Sequence, residues 1–275
     1  MSGEDDLFRF NLAATEDVLP TPSVLKCWRK VTDASCNLCG HKNCTLRHIL
    51  CGCQTALQQG RQTWRHDSVL YALYQQIRSM RNHGAAAHKL GLKPKEAHSS
   101  FVSTKGNKFN TASIPAVVPL FETSDDWQLQ FDITVKSDSQ SKNAAFPSHI
   151  AATSCRPDAV IWSDKLKTVV WIELTSPWEE NMTKWHFRKH EKYNKLATAV
   201  RNKGWKAHPL CVEVGCRGFT GHNWQHMAKT LNMKKGMSKR LKMRVAQVAQ
   251  RCSYYLYLNR KNREWSHPPL HGARD

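Results

Sequence analysis

The chain has 275 residues, enough to bury one large core or two modest ones. Its 41 Lys+Arg against 22 Asp+Glu leave a formal charge of +19, a field that favours polyanions, with nucleic acid the first candidate. No run approaches the roughly 18–20 apolar residues that span a bilayer, and the acidic opening MSGEDDLFRF lacks the basic and apolar regions of a signal peptide, so neither a membrane partner nor secretion is expected.

The charge is unevenly placed. Residues 182–275 hold 21 Lys+Arg and 4 Asp+Glu, so nearly all of the excess lies in the last third of the chain. Within it, the run KKGMSKRLKMR (234–244) reads either as a nuclear signal or as a basic amphipathic helix. The expectation is an intracellular protein, nuclear or else cytoplasmic.

In chain order, residues 1–30 are acidic and then punctuated by proline, which predicts a loose lead-in. Residues 31–56 form a cysteine cluster, with five of the ten cysteines between Cys36 and Cys53. In an intracellular chain such crowding points to metal rather than cross-links. Cys36-x2-Cys39-x8-His48-x4-Cys53 supplies three thiolates and an imidazole at spacings that a tetrahedral zinc accepts. Cys44, Cys51 and His41 are alternative ligands. The first set is preferred because Thr45–Leu50 reads as a helix start, which brings His48 and Cys53 about one turn apart. Four protein ligands leave no open position, so this zinc would be structural.

From Thr55 to Arg81 the spacing of Leu57, Trp64, Val69, Leu70, Leu73, Tyr74, Ile77 and Met80 predicts a helix, with a turn at Gln59-Gly60-Arg61. It carries Arg65-His66-Asp67, a polar break in an apolar pattern. Residues 82–125 read as a linker or mobile loop. The alternation of Leu129, Phe131, Ile133 and Val135 predicts a strand over 127–135, followed by a polar loop to residue 155. Two apolar runs, Ala159–Trp162 and Val169–Leu174, flank a polar turn and predict a buried β-hairpin. Asp158 opens its first strand and Glu173 sits inside the second. A carboxylate within Val-Val-Trp-Ile-Glu-Leu is costly to bury unless it is paired or binds a metal. Carboxylates on adjacent strands can share a hard divalent cation, with the Leu174 carbonyl as a third ligand.

Ser176-Pro177-Trp178-Glu179 predicts a helix start with Ser176 as cap and Glu179 completing a capping box, the helix running to about Lys203 and stopping at Gly204. Its apolar stripe of Trp178, Met182, Trp185, Tyr193, Leu196 and Val200 carries Lys189 at one step, with Lys192 one turn on. A lysine facing a sheet needs an anion; the plainer reading is snorkelling along the helix edge. Trp205–Val214 predicts a further strand, and residues 222–233 and 238–258 two closing helices, ahead of a tail at 266–275. The layout is mixed α/β with a central sheet flanked by helices. No P-loop or GxGxxG pattern is present, and the Asp125-Asp126 pair lacks the apolar strand of a polymerase site.

Taken together, Cys36, Cys39, His48 and Cys53, then Arg65-His66-Asp67, Arg156-Pro157-Asp158, Glu173 and Lys189-x-x-Lys192-Tyr193 resemble the restriction-like endonuclease module, of the PD-(D/E)XK superfamily, at the carboxy-terminal end of non-LTR retrotransposon proteins. The phrases ELTSPWEEN and GWKAHPLCVEVGCRGF look like those of stand-alone, retroelement-derived animal proteins. The resemblance covers about residues 27–265, with the nuclease-like core over 126–265. It implies a restriction-endonuclease-like fold and Mg²⁺- or Mn²⁺-dependent DNA cleavage, with Asp158 and Glu173 on the metal. It also implies a catalytic lysine from the helix, Lys189 or Lys192, because Thr175 stands where the usual lysine would. Asp67 is a further catalytic candidate. Arg65, His66, Arg188, Lys239, Arg240, Lys242 and Arg244 are expected to face nucleic acid: DNA, or RNA as a second possibility. The reverse transcriptase of a related element is a possible partner. Retention of the zinc cluster and basic half without catalysis is the alternative.

Overall fold

The fold is taken from a computed structural model that describes residues 2–91, 101–102, 108–109, 118–135, 142–266 and 268–270. Helices α1 (Ser2–Thr15) and α2 (Pro22–Cys27) lead into the cysteine loop, a π turn at His48–Gly52, and helices α3 (Gln54–Gln58) and α4 (Arg61–Lys89). A ribbon of β1 (Phe101–Val102) and β2 (Lys108–Phe109) follows. Then come β3 (Gln128–Phe131), β4 (Ala159–Ser163), β5 (Thr168–Thr175), α5 (Met182–Asn202), β6 (Lys206–Glu213), α6 (Trp224–Thr230) and α7 (Lys235–Leu258). No helix among the described residues is long and apolar enough to cross a membrane.

The sheet is mixed, in the order β3-β4-β5-β6. β3, β4 and β5 run antiparallel, while β6 pairs parallel to β5 across the α5 crossover, as a parallel neighbour requires. Side-chain alternation sends Ala159, Ile161, Val170, Ile172 and Leu174 towards one core, shared with α4, α7 and the cysteine loop. The intervening Val160, Val169 and Trp171 point to the other, where Tyr193, Leu196, Ala197 and Val200 of α5 cover them. Glu173 has the parity of Val169 and Trp171, so it faces α5.

The hairpin forms as expected, and its turn has a lock that the sequence did not reveal. Asp126 accepts hydrogen bonds from Ser124 Oγ (2.6 Å), Ser163 Oγ (2.5 Å) and the Lys165 N–H (2.8 Å). Partial burial would raise its pKa, but these hydrogen bonds outweigh that effect and hold the carboxyl at about 2. A depressed folded pKa contributes stability above the ordinary carboxyl range, and that contribution is lost as pH falls from about 4 through 2. Asp126→Asn should therefore flatten the acid limb of the stability curve in that window, by about 1–2 kcal/mol after allowance for solvent screening. Urea denaturation across pH checks it.

Three expectations are corrected. The lead-in is folded: Phe10 and Ala14, one turn apart on α1, are buried, and Phe10 lies 5.0 Å from the Tyr254 ring of α7 and 5.5 Å from that of Tyr257. Its acidic start, read as a sign of disorder, suits a helix N-terminus. The linker at 82–125 is helical up to Lys89, and a 3-10 turn at Leu120–Glu122 docks on it. Gly84 permits that approach, since a Cβ there would meet Phe121 Cβ at 2.5 Å. The remainder of that linker lies largely outside the described residues. The expected capping box is absent: a 3-10 turn over Glu179–Asn181 precedes α5, which starts at Met182. Glu179 is taken instead by Arg217, whose Nε lies 2.8 Å from its Oε2 and whose N–H lies 2.5 Å from its Oε1.

The strand at 127–135 is shorter than its alternation implies, yet Phe131 and Ile133 are buried on one side with Leu129 and Val135 packed beside them. The basic run 234–244 enters α7, with Leu241 and Val245 buried and Lys239, Arg240, Lys242 and Arg244 exposed, as an amphipathic helix places them. The tail is anchored where it is described: Trp64 Nε1 donates to the Pro269 carbonyl at 3.3 Å.

Candidate metal and nucleic-acid site

Cys36, Cys39, His48 and Cys53 converge, their ligand atoms all within 4.8 Å of one another. Zinc–sulfur bonds of about 2.3 Å at a tetrahedral angle put two thiolates about 3.8 Å apart; Cys36 and Cys53 sulfurs are 3.9 Å apart. Cys39 Sγ lies 3.3 Å from His48 Nε2. The cluster can hold a zinc ion. Thr45 Oγ1 accepts from the His48 N–H at 3.1 Å and starts the π turn, whose length spans the step from His48 to Cys53. Burial pushes the Cys53 thiol up to about 12, so without a cation it stays protonated. The alternative ligands have other work. Cys44 is buried beside Cys36 but outside the set of four that converges, Cys51 accepts from Arg65 Nη2 at 3.7 Å, and His41 stacks flat on His48 at 4.5 Å.

The second cluster sits at the end of the sheet. The β4–β5 register ends with Ala159 opposite Ile172, and Asp158 is the residue just ahead of β4, beside the Glu173–Leu174 end of β5. Asp158 Oδ2 accepts from the Leu174 N–H at 2.6 Å. Glu173 is 3% exposed and is held from α5: Lys189 Nζ bonds its Oε1, Tyr193 Oη lies 2.5 Å from its Oε2, and Lys192 Nζ is 3.7 Å away. The stripe position of Lys189 thus delivers an ammonium to the buried carboxylate, with Lys192 beside it. Both carboxylates act on one hydroxyl: burial first, then the charges of Glu173 and Asp158, push the Tyr193 phenol well above its usual value.

His66 approaches from α4. Its Nε2 lies 3.4 Å from Asp158 Oδ2 and 3.2 Å from the Leu174 carbonyl, while its Nδ1 is 3.1 Å from Asp67 Oδ1. Burial alone would lower its pKa; the Asp158 charge and the hydrogen bonds to Asp158 and Asp67 overcome that and raise it to about 10. Asp67 touches His66 and Lys142, so it reaches Asp158 only through the imidazole and is a positioning residue. Lys142, in a segment read as polar loop, was missed, and Tyr193, read in the apolar stripe and at the end of the Lys189-x-x-Lys192-Tyr193 motif, was given no role of its own. The Tyr193 role could have been inferred from its place one residue after Lys192 on the stripe that carries Lys189.

Arg65 is not on a nucleic-acid surface. It is 1% exposed, and its guanidinium donates to the Leu50 carbonyl (3.1 Å), Ser253 Oγ (3.3 Å) and the Ser176 carbonyl (3.1 Å) as well as to Cys51. These partners come from the cysteine loop, α7 and the segment leaving β5. Arg65→Ala should cost about 3–5 kcal/mol because several buried acceptors lose their donor, and Arg65→Lys should recover little, since one ammonium cannot reproduce the planar fork. Urea melts of the two variants check this; a wild-type midpoint for Arg65→Ala would remove its role as clamp.

A cleft of about 760 Å³ joins the two clusters. His41, Arg47 and His48 of the cysteine loop line one wall, with His66, Asp158, Trp185 and Lys189 among the others. An open groove continues from it along α5, sharing Trp185 and Lys189 and adding Arg188, Glu191, Lys192 and Lys195. Arg188 is exposed, its guanidinium 5.1 Å from the Trp185 ring centroid. No protein-family model matches the chain, and no curated protein is significantly similar to it.

Proposed function

We propose that the chain is a metal-dependent DNA endonuclease of the restriction-like, PD-(D/E)XK kind, of retroelement origin and acting in the nucleus. The observation that carries this reading is the hydrogen bond from the Leu174 N–H to Asp158, which ties that carboxylate to the residue after Glu173, with Lys189 from α5 on the buried Glu173 carboxylate. The residues fit a hard divalent cation. Asp158 Oδ2 and the Leu174 carbonyl both lie within 3.4 Å of His66 Nε2, so two of the expected oxygen donors converge on the place now held by the imidazole. Asp158, Glu173 and the Leu174 carbonyl would hold Mg²⁺ or Mn²⁺. When bound, such an ion activates water and stabilises charge on the phosphoryl oxygens.

The chain's own groups do the rest. The Lys189 ammonium, fixed by Glu173, is placed to orient the attacking water and to offset charge developing on the phosphate. Lys192 adds a second positive charge beside it, which replaces what Thr175 cannot supply. His66, locked by Asp67, keeps Asp158 turned towards β5. The exposed basic faces of α5 and α7 attract the DNA backbone.

One observation favours a second reading, a non-catalytic zinc-containing nucleic-acid binder. Glu173 is held by Lys189 and Tyr193, and Asp158 by His66 and the Leu174 N–H, so the acidic pair is neutralised from within. A nicking assay on supercoiled DNA with Mg²⁺ and with Mn²⁺ separates the two. Conversion to open circles supports the nuclease; salt-sensitive binding with no cut in either metal supports the binder.

A further inference from the structure

We propose that the cleft takes an unpaired stretch of a DNA strand, with one base lodged against the His41 and Trp185 rings and the flanking phosphates carried along α5. This names the substrate class of the site above and rests on the nuclease reading. The cleft volume of about 760 Å³ lies within the range of pockets that enclose small ligands, about 300–1,000 Å³. Its walls are more than basic. The cysteine loop contributes the exposed His41 ring, backed face to face by His48 at 9° between planes, and α5 contributes the half-buried Trp185.

The groove leading in has the other half of a single-strand platform. Trp185, Arg188, Lys189, Lys192 and Lys195 recur at i, i+3, i+4, i+7 and i+10, one stripe of the helix, with Glu191 the single carboxylate in the same groove. A positive track with aromatic rings beside it binds single strands by phosphate neutralisation and base stacking. In a duplex each base is covered by its neighbours and shows only its edges in the grooves. A ring-lined cleft therefore gains nothing from paired DNA unless a base leaves the stack, which costs least where it is already unpaired. Because the cleft and groove share Trp185 and Lys189, a strand held along α5 runs past Asp158.

The test uses the full, zinc-loaded chain with Asp158→Asn to prevent cutting, in magnesium-free buffer. The probes are a short duplex and the same duplex with a brief unpaired gap that carries the fluorescent base 2-aminopurine. The gapped probe is expected to bind about tenfold tighter, with its emission changing on binding as the base stacks on protein rings. Adding Trp185→Ala should bring the ratio of affinities near one and abolish the emission change. His41→Ala, on the opposite wall, should do the same and serves where the tryptophan variant does not fold. Equal affinities for the two probes, or a preference that survives both substitutions, overturns the proposal. Cutting by the wild-type chain in Mg²⁺ is scored separately. A gap preference without cutting removes the nuclease reading and leaves the strand preference standing; equal cutting of paired and gapped DNA removes the preference and leaves the nuclease.

Discussion

Asp158→Asn and Glu173→Gln are each expected to lower Mg²⁺-dependent nicking by about a thousandfold or more while DNA affinity changes by less than about threefold. Each change replaces an anionic oxygen by a neutral amide of nearly the same shape. In Asp158→Asn the side-chain amide oxygen would still accept from the Leu174 N–H, now bonded at 2.6 Å, so strand pairing should survive. Glu173→Gln would leave the Lys189 ammonium without its counter-charge, and that variant should also lose some stability. The lysines are separable by the same assay. Lys189→Met removes the ammonium in direct contact with Glu173 and should cost about 100-fold or more, whereas Lys192, 3.7 Å away and more exposed, should cost less. Single-turnover cleavage beside equilibrium binding reads each case. Variants of both carboxylates that nick like the wild type would show that the pair does not serve the chemistry.

Removing zinc should produce the largest loss of stability. Structural zinc sites contribute about 10–16 kcal/mol of binding free energy in small modules, and here that energy would fix the loop that carries Leu46, Ile49 and Leu50 into the shared core. Chelation should release one zinc per chain, take up protons as the thiolates are re-protonated, and lower the melting temperature by about 10–20 °C. Cys36→Ser should do the same without chelator. Elemental analysis of protein purified under reducing conditions, followed by calorimetry, checks both. A chain that holds no zinc and melts unchanged with chelator would show that the cysteines pack as ordinary core residues.

How much of this was legible depended on whether a residue's partners were close in sequence. The β4–β5 hairpin and the Cys/His cluster are local, so runs of Val, Ile and Trp and the spacing of Cys36, Cys39, His48 and Cys53 located them. Lys189 was legible because one cation interrupted an apolar stripe at helical spacing, and the Glu173 carboxylate stands at the matching place on the sheet. Residues whose partners are distant in sequence were misread. Glu179 has the position of a capping-box acid, but Arg217, thirty-eight residues on, offers a charged fork that a backbone N–H cannot match. Arg65 was expected to face nucleic acid with its neighbour His66, while its acceptors lie on three other segments. The α1 helix and the end of α4 were missed because acidic residues in one and Gly, Ala and His in the other resemble loop composition. Their apolar partners, Tyr254 and Phe121, lie far along the chain.

The reach of Arg65 has a consequence for the far end of the polypeptide. Ser253, one of its acceptors, also donates to the Cys216 carbonyl at 2.6 Å, so the last helix is stitched into the wall beside the acidic pair. A truncation just ahead of Ser253 removes none of Cys36, Cys39, His48, Cys53, Asp158 and Glu173, yet it takes away the strut against which both clusters are braced. Loss of those final residues would be felt first as a slackening of the cleft.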